Sequence, residues 1–173
     1  MQFSIGVEYA LHCLLHVINI PKGKTVGVKD LAAYQGVSET YLSKVFTRLR
    51  KAGIVKSIPG VNGGYELARM PESISFWDVI EAIEGSAPLF QCAEIRQNEI
   101  LLDKNHLPDA YTKCPCLIKV VMIEAEDQMK AYLKSKTLGW LHEQVKIKVP
   151  VEHENAAFEW FSRSKARKNI TGE

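Results

Sequence analysis

The sequence predicts a mostly α fold with a small β-wing: a winged helix-turn-helix domain followed by a long dimerisation helix. Three observations carry this. Three helical periodicities precede residue 53, and the second and third are separated by Gly36. An Asn62-Gly63 pair then sits between two short strand-like runs, and Asn-Gly is among the strongest short-range hairpin signals because both residues tolerate positive φ. A second long apolar stripe runs from Ile118 to Leu133.

The elements follow in order. Val7, Ala10, Leu11, Leu14, Val17 and Ile18 recur at helical spacing, which predicts a helix over 3–20 with Ser4 as its N-cap and Pro21 and Gly23 ending it. A short helix spans 28–34, with Leu31 and Ala32 facing inward. The third helix opens at Ser38, a capping residue, with Glu39 near the positive end of the dipole. It runs to about Ala52, and Leu42, Val45, Phe46 and Leu49 form its core face. Gly53 stops it.

Residues 54–56 and 65–67 read as the two strands of the hairpin. A fourth helix follows Pro71 and ends near Gly85. Ser75 and Asp78 have capping-box spacing, and Ile74 and Val79 can form its hydrophobic staple. Residues 86–113 are irregular, with a short helix expected around 93–101. The long helix is expected from Pro115 to Lys136. Gly139 reads as a break, with a turn expected at 140–145. An amphipathic stretch covers 155–163 and ends in the basic run Arg163, Lys165, Arg167 and Lys168. The expected division is 1–85, a winged helix-turn-helix domain; 86–137, a cysteine-containing sensor loop and dimerisation helix; and 138–173, a C-terminal extension of unknown role.

Composition narrows the function. The chain has 173 residues, 46% hydrophobic and 24% charged, an ordinary globular balance that excludes a disordered or disulfide-scaffold protein. No apolar run approaches the roughly 20 residues needed to span a bilayer. The start carries Glu8 and no basic n-region, so it does not read as a signal peptide. The expected compartment is the cytoplasm, where cysteines stay reduced. The net charge of +2 hides an asymmetry: residues 22–69 hold nine Lys and Arg against three acids, a net of +6, while 1–21 contribute −1 and 70–173 contribute −3. A basic middle points to a confined anionic partner, against the plainer reading of a solvated basic face.

The second helix of a helix-turn-helix enters the major groove. With four positions committed to the core, the outward face of the third helix holds Thr40, Ser43, Lys44 and Thr47. Ser38, Glu39 and Tyr41 lie at its start, and Arg48, Arg50 and Lys51 extend the positive surface. At the wing, Asn62, Gly63 and Gly64 expose backbone to a duplex; the plain alternative is a hairpin turn with no ligand. A phosphate-cradling Walker loop is excluded, since no GK[ST] follows. The candidate DNA-binding set is Ser38, Glu39, Thr40, Tyr41, Ser43, Lys44, Thr47, Arg48, Lys51, Asn62, Gly63 and Gly64. No catalytic set stands out, so an enzyme is not expected.

The runs IGVEYALHCLLHV, VKDLAAYQGVSETYLSKVFTRLRKAGIVKSIPGVNGGYELAR and ISFWDVIEAIEG resemble the Rrf2 family of bacterial winged-helix transcription regulators. The likeness is close over 1–85 and general over 86–137. It implies a homodimer on a palindromic or near-palindromic double-stranded DNA operator; the expected action is that of a repressor, with an activator as the alternative. The Ile118, Val121, Met122, Ala125, Met129, Tyr132 and Leu133 stripe agrees independently, because a symmetric pairing of two such helices would cover it. The alternative cover is the chain's own first helix.

Cys13 reads as a small buried hydrophobe. Cys92, Cys114 and Cys116 fall where the resemblance places effector chemistry: some members ligate an iron–sulfur cluster through three cysteines, and others sense thiol oxidation. This chain spaces them Cys-x21-Cys-x-Cys, unlike the close spacing of cluster-binding members, with Pro115 between the last two. A zinc site that adds His106 matches no usual pattern. A thiol switch requires less and is the favoured reading; unremarkable thiols, and an iron–sulfur cluster on Cys92, Cys114 and Cys116, are the alternatives. Cys114 and Cys116 lie where a helix dipole favours the thiolate, Lys113 and Lys119 add positive charge, and Cys92 can close a disulfide. Two readings remain from other classes: an adaptor that has lost DNA affinity, and a thiol or metal enzyme.

Overall fold

The computed structural model describes residues 2–21, 23–60 and 63–171, with residues 164–171 described by backbone alone. Eight α-helices and one two-stranded antiparallel sheet are present among them.

One compact unit comprises residues 2–85 and 133–171. Its helices α1 (Ile5–Ile18), α2 (Val28–Gln35), α3 (Glu39–Lys51) and α4 (Phe76–Glu84) surround a core of fully buried Leu14, Leu31, Leu42, Phe46, Leu49 and Val79. The apolar spacing that predicts each helix is the spacing that fills this core. Leu42, Val45, Phe46 and Leu49 are all buried. Gly36 takes the left-handed conformation that closes α2 and turns the chain into α3.

Ser38 accepts from the Tyr41 backbone N–H and caps α3. The Ser75–Asp78 capping box of α4 is formed in both directions, and Ile74 and Val79 are both fully buried. Ser4 departs from its expected role. Its side chain does not cap α1; its N–H and hydroxyl both donate to Glu84 Oε1, at 2.9 and 2.6 Å, and tie the start of α1 to the end of α4.

The strands β1 (Val55–Ile58) and β2 (Gly64–Leu67) pair with Val55 opposite Leu67 and Ile58 opposite Gly64. Val26 extends the ladder by a bridge to Tyr65, whose ring packs edge-on against Phe46. The wing is thus anchored to the core through Tyr65.

Residues 133–171 differ from the sequence expectation. Gly139 does not break the chain; it lies inside α7 (Leu138–Lys148), capped by Thr137. A Cβ there would stand about 3.0 Å from the exposed Glu72 side chain. Leu138 is fully buried, and backbone bonds Phe76 to Lys136 and Leu138 to Ile74 stitch the segment to the start of α4. The expected 155–163 stretch is part of a longer helix, α8 (Val151–Thr171). Phe161 is buried against His16 and Tyr34, and Trp160 packs edge-on to Tyr34. The side chains of Lys165, Arg167 and Lys168 lie outside the described residues.

The second unit comprises residues 86–132. The helix expected at 93–101 is only a 3-10 turn, Ile95–Asn98, preceded by Glu94 at φ 49°. A left-handed residue there prevents a helix from starting earlier. A single turn, α5 (Asp109–Thr112), follows. The long helix α6 (Leu117–Ser135) begins after Cys116 rather than at Pro115. Glu126 is its one buried residue: one carboxylate oxygen meets Lys130 Nζ at 2.6 Å, and the other accepts from the Leu89 N–H at 3.1 Å.

Candidate DNA-binding surface and thiol site

α3 presents its outward side chains from a helix locked at both ends. Thr40 and Lys44 are exposed and Ser43 is half-buried. Arg50 and Lys51 are exposed in the last turn. Several expected contacts are engaged elsewhere. The Thr47 hydroxyl donates to the Ser43 carbonyl at 2.8 Å, back into its own helix. The Tyr41 ring packs edge-on against Tyr9 of α1. Arg48 Nη1 donates to the Ile83 carbonyl and satisfies one of the free carbonyls at the end of α4. Arg48 therefore also supports the position of α3 on α4. Glu39 is exposed in the first turn, where the dipole favours its charge.

The wing's glycines have a structural cause. A Cβ on Gly63 would stand 2.3 Å from the Ile58 carbonyl oxygen, and one on Gly64 (φ 154°) 2.5 Å from that of Val26. Gly63 N–H closes the tip turn onto the Gly60 carbonyl at 2.8 Å. Packing of backbone on backbone thus requires glycine at both positions without a ligand. Asn62 lies outside the described residues. In the wing strands, Lys56 pairs with Glu66 at 2.9 Å.

Two of the three switch cysteines come together. Cys92 and Cys116 are half-buried and near enough that the Cys92 thiol favours the charged forms of Cys116 and of the Glu94 carboxylate. Cys116 precedes α6, and its carbonyl accepts the first bond of that helix. The backbone N–H groups of Lys119, chiefly, and Ile118 hold its thiol below the ordinary range, and the Cys92 thiol and Arg96 add to this. At Cys116 this lowering comes chiefly from backbone amides. Lys113 instead pairs with Asp109 at 2.8 Å.

Arg96, which the sequence did not single out, organises the loop. Its Nε donates to Glu94 at 2.9 Å, Nη1 to the Ala110 carbonyl at 3.1 Å, and Nη2 to the Tyr111 and Cys114 carbonyls at 3.3 and 2.6 Å. Gln97 adds a bond to the Tyr111 carbonyl at 2.8 Å. No spacing rule would have found a guanidinium that acts on three carbonyls far along the chain. Cys114 is held by its carbonyl, and its side chain is exposed. Cys13 is fully buried, and burial pushes its thiol up to about 12.

His106 hydrogen-bonds to Asp103 at 3.0 Å. Among the described residues, no three His, Cys, Asp or Glu side chains converge to hold a metal ion. Cys92 and Cys116 lie near one another, with the Glu94 carboxylate and the Arg96 guanidinium beside them.

A family model described as Rrf2, iron-dependent transcriptional regulator, matches residues 3–144. The chain belongs to the Rrf2 family. An NsrR regulator of Halalkalibacterium halodurans is 31% identical over 145 residues, covering 79% of this chain and 99% of the relative. The protein rrf2 of Nitratidesulfovibrio vulgaris is 32% identical over 139 residues, covering 80% and 85%. The structure of CymR, the global cysteine regulator of Bacillus subtilis, superposes with a TM-score of 0.61 at 28% identity over 83% of this chain and 98% of that one. The IscR structure of T. potens gives 0.62 at 24% identity and shares the fold, over 87% of this chain and 93% of that one.

This Rrf2 chain is thus a DNA-binding transcription regulator with the expected winged-helix fold, and its named relatives and structural neighbours are transcription regulators. No described helix is long and apolar enough to cross a membrane. α8 lies beyond the matched residues.

Proposed function

We propose that the protein is a homodimeric repressor that binds a palindromic operator and is controlled by oxidation of Cys92 and Cys116. The observation that carries the control is the paired thiols at the start of α6, one of them depressed by backbone amides. A hydroperoxide is the oxidant in this reading. The Cys116 thiolate attacks the peroxide oxygen and breaks the O–O bond, giving a sulfenic acid and releasing the alcohol or water. The Cys92 thiol then displaces hydroxide from that sulfur, which leaves as water, and a disulfide forms. Two electrons pass from the thiols to the peroxide. Cys114 stands outside this pair as an exposed thiol.

The dimer reading is supported by α6. Ile118, Val121 and Tyr132 are 67%, 62% and 63% exposed, and Met122 and Ala125 are also exposed, while Met129 and Leu133 are half-covered. An apolar face this open on a regular helix calls for a partner. A second copy of α6 supplies matching chemistry.

For the operator, Thr40, Ser43 and Lys44 face outward, with Lys51 positioned for phosphate. Lys44→Ala is expected to weaken binding across sequences alike and to lower the salt slope by about 1. The switch is tested by operator binding with dithiothreitol and with cumene hydroperoxide. Oxidation is expected to abolish binding in the wild type and to leave Cys92→Ser and Cys116→Ser bound. Peptide mapping should return a Cys92–Cys116 disulfide. Loss of binding in both variants on oxidation would reject the switch.

A further inference from the structure

The thiol pair joins two stretches that are distant in sequence. Cys92 lies near the start of the irregular loop and Cys116 at its end, with residues 93–115 between them. In an unfolded chain such a separation seldom brings two thiols together, because closing the loop costs chain entropy. The fold must therefore hold the two ends.

Arg96 is the side chain that links them. On the Cys92 side, its Nε donates to the Glu94 carboxylate at 2.9 Å. Glu94 has φ 49°, a left-handed conformation that costs a non-glycine residue free energy. Its carbonyl closes the turn by accepting from the Gln97 N–H at 2.9 Å. On the Cys116 side, Arg96 Nη1 donates to the Ala110 carbonyl at 3.1 Å, and Nη2 to the Tyr111 and Cys114 carbonyls at 3.3 and 2.6 Å. The guanidinium carbon also lies 5.6 Å from the centre of the Tyr111 ring. Only Pro115, with its fixed φ, stands between Cys114 and Cys116, so the link from the clamped carbonyl to the second thiol is short and stiff. Both thiols are close enough to Arg96 for their charge to act on it.

We infer that Arg96 is the positioning residue of the thiol pair: its planar fork holds the Cys92 stretch against residues 110–114 and so raises the effective concentration of Cys92 at Cys116. The inference rests on the reading of these two cysteines as the reacting pair. Lysine cannot replace the fork. Its ammonium carries the same charge, but as a compact point donor it cannot span a carboxylate and three carbonyls at once.

The test is the equilibrium of the full chain with glutathione, in a Cys114→Ser background that leaves the pair and the buried Cys13. Serine keeps the carbonyl that Arg96 bonds. One glutathione disulfide takes two electrons and two protons from the Cys92 and Cys116 thiols, by way of a mixed disulfide, and leaves as two glutathiones while the protein disulfide forms. Alkylation and peptide mapping of acid-quenched samples give the ratio of disulfide to dithiol, and hence the effective molarity of the pair. Each protein is measured folded and in denaturing guanidinium chloride. The folded background protein should exceed its own denatured value about tenfold or more. Arg96→Lys and Arg96→Met should each lower the folded value about tenfold or more and leave the denatured value unchanged. Circular dichroism melts check that each variant is folded. A folded Arg96→Lys that keeps the background value would overturn the inference. So would a loss that persists in denaturant, or a background protein whose folded and denatured values agree. A fall in both variants, beside operator binding that ignores the redox state, would sustain the positioning and reject the redox control.

Discussion

Gly64 and His16 show how single residues carry the reading head. At Gly64, φ is 154° and the Val26 carbonyl leaves no room for a Cβ. Gly64→Ala is therefore expected to destabilise the protein by about 2 kcal/mol or more, read as a lower melting temperature. His16 is the residue that ties stability to pH. Its ring accepts from Gln35 Nε2 at 2.9 Å and packs on Tyr34 and Phe161, and burial lowers it from 6.5 to about 4. Between those values the unfolded chain binds the proton and the folded chain does not. Stability is thus full above pH 6.5 and is lost as pH falls toward 4, by about 2–3 kcal/mol before allowance for partial exposure. Denaturant titrations at pH 7 and pH 4.5 should show this loss in the wild type and a smaller one in His16→Gln.

Elements were legible where one periodicity met one clear stop. α3 and α4 follow from core spacing plus a capping serine, and the structure forms both caps. The stretch 86–116 was not legible, because its order comes from Arg96 reaching carbonyls 14 to 18 residues away. No local pattern encodes such a reach. The same element makes a kinetic prediction. At neutral pH, iodoacetamide should label Cys116 fastest, because its thiolate is favoured by the Lys119 and Ile118 amides. Cys13 should stay unlabelled in the folded protein, being fully buried with its thiol pushed up to about 12. Mass spectrometry of timed aliquots reads both rates. Equal rates at Cys116 and Cys13 would contradict the site geometry.

At the scale of the whole molecule, residues 133–171 join the winged-helix unit. Phe161 is the anchor: it is 6% exposed and meets both His16 and Tyr34. Phe161→Ala is expected to cost about 3 kcal/mol and to reduce the pH dependence, because His16 would be hydrated again. Thermal melts at pH 7 and pH 4.5 measure the two effects together.

The sequence by itself determined the winged helix: apolar residues at helical spacing, capping serines and the Gly-Gly wing are local instructions, and each is read within a few residues. It also placed the asymmetric charge and the exposed α6 stripe. Only the tertiary structure decided which side chains remain free to act. Arg48 went to the end of α4, Thr47 into its own helix, Cys92 to Cys116, and Glu154 to a buried position without a donor. The physical reason is that hydrogen-bond partners and burial are set by neighbours distant in the chain, which no spacing rule contains.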